Sequence, residues 1–137
     1  MNTRKKKVYI LLLILAVSLS IFLGKDKIAF HFSLNKAFYY MENTDYLQAA
    51  NEFDFLISQE PNMYELYINK AVALANLEEF EEALRTFQEA ETINNTDPEL
   101  YYNLAHLYDI MGEEVLKQEC LKKGTELAFE IDLREDQ

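Results

Sequence analysis

A single cysteine, Cys120, stands in 137 residues, so neither an internal disulfide nor a cysteine-rich metal site can form. Three glycines, Gly24, Gly112 and Gly124, are too scattered to build a phosphate-cradling loop. Only two prolines accompany them, Pro61 and Pro98, which argues against a turn-rich β architecture and for long uninterrupted helices. The two histidines, His31 and His106, show no His-x-x-x-His or Glu-x-x-His spacing, so no metal is expected. Positive charge is also scarce. Of thirteen basic residues, four lie in Arg4–Lys7, which leaves nine against twenty-four acids in the rest of the chain. A surface that negative disfavours nucleic acid and favours basic or neutral protein partners, besides keeping the protein soluble.

Charge of either sign is missing from Val8 to Leu23. As a helix this run would cover about 24 Å, somewhat short of a bilayer core, and Tyr9 with flanking lysines would make up the difference. Basic residues ahead of it favour a cytoplasmic N-terminus, with the remainder across the membrane. Three readings fit: an uncleaved signal-anchor, a removed signal peptide, or a buried helix. Ala16-Val17-Ser18 and Ser18-Leu19-Ser20 offer cleavage sites, but cutting there would leave Ile21-Phe22-Leu23 exposed. A core helix would show a polar face, and only Ser18 and Ser20 are polar. The expectation is a single-pass protein anchored by residues 8–23.

What is abundant beyond Lys27 is repetition. Phe30–Met63, Tyr64–Asp97 and Pro98–Ile131 align on a 34-residue period. Ala37, Ala71 and Ala105 share one position, followed three residues later by Tyr40, Leu74 and Tyr108. Ala49 and Ala83 precede Phe53 and Phe87 by four. Such a period with helical spacing inside each unit is the mark of a helical solenoid. The expected hairpins pair helices near 29–42 with 46–59, 63–77 with 80–93, and 98–111 with 115–131. Asn62 is a candidate cap after Pro61, and Asp97-Pro98-Glu99 reads as a cap with proline at the first helical position.

These residues resemble the tetratricopeptide repeat (TPR) family. Tyr67-x-x-x-Ala71-x-x-Leu74, with Phe80-x-x-Ala83-x-x-x-Phe87-x-x-Ala90, is the strongest copy. Ala37, Tyr40, Tyr46, Ala49, Phe53 and Pro61 carry the first, and Tyr101, Leu104, Ala105, Tyr108 and Gly112 the third. Lys36 and Lys70 stand where the family prefers leucine, and Lys117 where it prefers alanine. The resemblance implies an all-α solenoid of three helix-turn-helix repeats. The expected layout is a basic cytoplasmic N-terminus 1–7, a transmembrane signal-anchor 8–23, a linker 24–29, repeats 30–63, 64–97 and 98–131, and an acidic tail 132–137.

In that family the first helix of each repeat lines a concave groove that takes an extended peptide or a single helix. Carried over, the groove holds Leu34, Asn35 and Phe38, then Glu65, Ile68, Asn69 and Val72, then Glu99, Tyr102, Asn103 and His106. His31, Met41 and Asp109 belong to the same inward-facing set. Asn35, Asn69 and Asn103 recur at one offset, and amides in a row suit a peptide backbone, although asparagine there also serves helix packing. A TPR subclass grips chaperone C-terminal carboxylates with basic residues. Asn69 matches one such position, but His31, Leu34, Glu99 and Asn103 replace the rest, so acidic tails are not expected to bind. The implied function is a protein-interaction adaptor at a membrane, with no catalytic residue, no cofactor and no nucleic-acid partner. A permanent subunit of a membrane-associated complex and a secreted chaperone-like protein are the alternatives. Leu116, Cys120 and Leu127 form a possible outer face on the last helix, a polar-faced terminal helix being the plainer expectation.

Overall fold

The computed structural model describes residues 14, 15, 24 and 27–135. From residue 27 onward six helices follow one another. They are α1 (described over 27–42), α2 (Tyr46–Gln59), α3 (Tyr64–Asn76), α4 (Phe80–Ile93), α5 (Pro98–Met111) and α6 (Glu114–Glu135). They pair as three hairpins. Each hairpin stacks on the next, α2 against α3 and α4 against α5, and α3 also touches α5 directly.

One backbone device makes all three hairpin turns. Thr44, Glu78 and Gly112, spaced by the repeat, have φ of 61°, 62° and 77°. Each sits just past its first helix in the left-handed conformation that ends a helix with a Schellman motif. The two bonds of that motif recur in register. The amides of Thr44, Glu78 and Gly112 donate to Met41, Ala75 and Asp109 at 3.1–3.2 Å. Those of Asp45, Glu79 and Glu113 donate to Tyr40, Leu74 and Tyr108 at 2.8–3.0 Å. Asp45 and Glu79 are in turn the N-caps of α2 and α4. With one residue serving both helices, the pair has little freedom in its crossing angle.

Small residues let the helix axes approach, and large ones fill the gaps. Ala37, Ala49, Ala71, Ala83, Ala90 and Ala105 are all buried. Phe53, Phe87, Leu56, Leu66, Leu100, Leu107 and Tyr101 are the largest fully buried side chains. Thr86, the one buried polar residue among those described, donates to the Glu82 carbonyl at 2.9 Å.

Several expectations change. Among the described residues no helix is long and apolar enough to cross a membrane, which overturns the single-pass, extracytoplasmic localisation. The longest, α6, has 22 residues, but Lys117, Lys122, Lys123, Glu126, Glu130 and Arg134 place charge on every turn. Residues 8–23 lie outside the described residues apart from Ile14 and Leu15. Asn62 is not the cap of α3; Met63 occupies that position with no side-chain bond. Residues 132–135 continue α6 instead of forming a separate tail.

Candidate functional site

Carried on α1, α3 and α5, the expected groove residues divide by burial. Asn35, Phe38, Glu65, Glu99, Tyr102 and His106 are exposed. Leu34 and Val72 are half-buried and packed against the core, with Asn69 and Asn103 half-exposed beside them. Ile68 is only 4% exposed and belongs to the core, so it is floor and not contact surface.

Two large rings stand out on this face. Phe38, 42% exposed, meets Phe53 of α2 edge-on with centroids 5.9 Å apart. That contact fixes its inner edge and leaves the other free. Tyr102, 41% exposed, lies over Gly124 of α6, where an added Cβ would come within 2.8 Å of the ring. Gly124 therefore holds the position where the family prefers alanine because Tyr102 occupies the space.

The asparagines are tied down in part. Asn69 Nδ2 donates to the Glu65 carbonyl at 2.7 Å, and Asn103 Nδ2 to that of Glu99 at 3.0 Å. Each amide thus spends one of its two N–H donors on its own helix, which leaves one donor and the carbonyl oxygen at each of those two positions. Asp109 is also committed. Lys117 Nζ reaches its Oδ1 at 2.8 Å and holds the carboxyl below its ordinary range. Among the described residues Glu65 and Glu99 enter no ion pair, so the open negative charge of this face is theirs. His31 stands apart from it, in a cleft of about 570 Å³ with Lys27, Gln59 and Met63 at one end of the first hairpin.

The three lysines that break the family pattern all bridge helices or turns. Lys36 pairs with Glu52 of α2, whose carboxylate raises the lysine pKa. Lys70, on α3, pairs across the repeat boundary with Asp54 of α2 at 2.7 Å. Lys117 spans the last turn from Glu114 to Asp109. Pattern matching marked these positions as departures, and the partners of Lys36 and Lys70 lie sixteen residues along the chain, too far for local spacing to reveal.

Two polar joints complete the stack. Asp97 caps α5 through a 2.9 Å bond from the Glu99 amide to Oδ1, while its Oδ2 accepts the Tyr64 hydroxyl of α3 at 2.6 Å. Tyr67 donates to the Pro61 carbonyl at 2.9 Å, and Tyr101, one repeat on, to that of Asn95 at 3.0 Å. Tyr101 is additionally within 2.9 Å of Glu91, with Lys123 4.2 Å above its ring and 3.1 Å from the same carboxylate. Burial pushes the Glu91 carboxyl up, but the Tyr101 and Lys123 bonds outweigh it and hold the group below its ordinary range. On the outer side a cleft of about 240 Å³ separates α4 from α6 and takes in Cys120, whose thiol burial pushes up. Cys120 and Leu127 pack against the core, while Leu116 remains exposed.

Comparison with known proteins agrees with this architecture. A TPR repeat model matches residues 71–112, and a tetratricopeptide repeat model matches 98–130. A cattle (Bos taurus) protein described as BBSome complex member BBS4 is 37% identical over 89 residues, 63% of this chain. The mouse (Mus musculus) counterpart is 36% identical over 92 residues, 65% of the chain. The chain spans 17% of the length of either relative. Among solved structures, MamA MSR-1 C2 superposes with a TM-score of 0.67 at 22% identity, covering 84% of this chain and 69% of that one. A chain of a CopN-Scc3 complex reaches 0.65 at 16%, covering 78% and 65%. The matched repeat models identify residues 71–130 as tetratricopeptide repeats, and the stacked hairpins with their repeated left-handed turns carry the same architecture through the first hairpin.

Proposed function

We propose that the chain is a protein-interaction scaffold that takes an extended or helical peptide segment, apolar or basic, along the face of α1, α3 and α5. Repeats 30–63, 64–97 and 98–131 each contribute one strip of that face. The observation that supports the reading most is that Glu65 and Glu99 enter no ion pair among the described residues, on helices α3 and α5, while α1 and α5 carry the half-exposed rings of Phe38 and Tyr102. Rings of this kind supply contact area with little loss of side-chain freedom, and the carboxylates select the sign of the partner. Asn69 and Asn103 each keep a donor and an acceptor for a peptide backbone. Leu34, Asn35, Val72 and His106 complete the lining, with Ile68 beneath.

Selection from a randomised peptide display library tests it. Enriched sequences are expected to carry net positive charge with apolar residues. The double variant Glu65→Lys, Glu99→Lys should reverse the charge preference while keeping the apolar one. Enrichment of acidic peptides by the unaltered protein, or a preference indifferent to the double variant, refutes the reading. The BBSome description of the cattle relative favours a second reading, a constitutive subunit of a larger assembly. Strictly stoichiometric co-purification with one partner at every salt concentration would select it over a transient scaffold.

A further inference from the structure

The repeat register exposes an unfilled position at one end of the stack. Phe32 is the counterpart of Leu66 and Leu100, and Tyr39 that of Ala73 and Leu107. The later pairs are 2%, 0%, 0% and 1% exposed, whereas Phe32 and Tyr39 are 69% and 60% exposed. In the second and third hairpins this strip faces the preceding helix, as the Lys70–Asp54 pair shows for α3 against α2. Ile28, also exposed, extends the line on α1 by one more turn. Residues 28, 32 and 39 fall on one side of a helix, roughly opposite the buried Ala37. A helix apolar on both sides expects a neighbour on both.

We infer that α1 pairs with α1 of a second copy through Ile28, Phe32 and Tyr39, making a two-fold dimer at this end of the solenoid. Charge selects that occupant. The chain beyond Lys7 is strongly acidic and repels itself over most of its surface, but residues 27–42 carry Lys27 and Lys36 against Glu42 alone. The opposite end does not offer a head-to-tail match. Ala50, Asp54 and Ile57, the α2 residues around the Lys70 pair, correspond on α6 to Gln118, Lys122 and Thr125, all exposed and polar. A self-complementary contact closes at two copies and needs no second surface. Sixteen helical residues present a strip of roughly 24 Å by 10 Å, and their side chains bury roughly 1,000 Å² in a pair, the low end for a specific interface. The dimer is therefore expected to form at micromolar concentrations. This strip meets the proposed peptide face at Asn35 but is made of Ile28, Phe32 and Tyr39, which that reading does not use, and it does not depend on that reading.

Analytical ultracentrifugation of the full chain measures it. A monomer–dimer equilibrium is expected, weakened at least tenfold by Phe32→Glu with Tyr39→Glu while circular dichroism keeps its helical signal. Geometry is tested by Asn35→Cys in a Cys120→Ser background, since Asn35 lies midway along the strip. A short bismaleimide should link two such chains covalently, and should not link chains carrying Gln118→Cys instead. A monomer at all concentrations, an association unmoved by the two glutamates, or equal cross-linking from both cysteines each overturns the inference.

Discussion

Thr44, Glu78 and Gly112 fill one conformational position with three different residues, and their substitution tests whether backbone handedness sets part of this protein's stability. A left-handed residue with a Cβ costs about 1–2 kcal/mol. Glycine avoids that cost but loses more chain entropy on folding, about 0.5–1 kcal/mol. Glu78→Gly should therefore stabilise by about 0.5–1 kcal/mol, and Thr44→Gly by somewhat more, because a β-branched residue tolerates positive φ least. Gly112→Ala should destabilise by about 1 kcal/mol. That variant is informative because a Cβ at Gly112 meets nothing within 4 Å, which leaves backbone conformation as the whole effect. Urea titration followed by circular dichroism reads the midpoints, and an unchanged slope would show that the unfolded states are comparable. Thr44→Ala is the discriminating control: it removes the branch but keeps the Cβ, so its gain should be a few tenths of a kcal/mol. If Thr44→Ala stabilises as much as Thr44→Gly, or Gly112→Ala is neutral, the handedness argument fails.

Tyr67→Phe and Tyr101→Phe form a second matched pair, since both lose a bond to a carbonyl six residues back but only Tyr101 also loses Glu91. The Tyr101 variant should cost about 1 kcal/mol more, a value reduced for the part-exposed carboxylate, and the excess should vanish in a Glu91→Gln background. Glu91 has a lowered carboxyl pKa in the folded state, so its contribution is present above the ordinary carboxylate range and lost as pH falls through that lowered value; equal costs at neutral pH would refute the joint. The hydrogen bond to Asp97, followed by burial, pushes Tyr64 up to about 12. Because the folded pKa is the higher one, this contribution is complete below pH ~10 and is lost between there and about 12. Following the Tyr64 ring carbon by NMR should show late ionisation that Asp97→Asn returns toward the ordinary tyrosine range.

Periodicity made the fold readable and stopped short of the joints. The small-to-large spacing of Ala37, Ala71 and Ala105 with Tyr40, Leu74 and Tyr108 repeats at a fixed offset, and backbone geometry repeats with it. Helices α2, α4 and α5 accordingly run over the residues expected. The cap at Asp97 was equally plain, because side chain and proline act locally. Ile68 was misread as surface because a helix in mid-stack has neighbours on more than one side, and its accessible arc is narrower than helical spacing alone conveys. Gly124 showed in the sequence only as a glycine at the register position of Ala90. Its role emerges only when the ring of Tyr102, a helix away, is seen above it.

The polar joints bear on the proposed function because they decide how far one strip of the proposed binding face can move against the next. A solenoid held by apolar packing alone can flex at each repeat boundary, since such contacts are non-directional. Here the first boundary carries Lys70–Asp54, and the second carries Tyr64–Asp97 together with Tyr101–Glu91–Lys123. Directional bonds at several points across a boundary resist rotation as well as separation, and more of them guard the boundary nearer α6. The stiffer half thus carries Glu65, Glu99 and Tyr102, while Phe38 sits on the first hairpin, beyond the less tightly bonded boundary. Affinity from the acidic half should come from preorganisation, whereas any adjustment to a partner falls to α1.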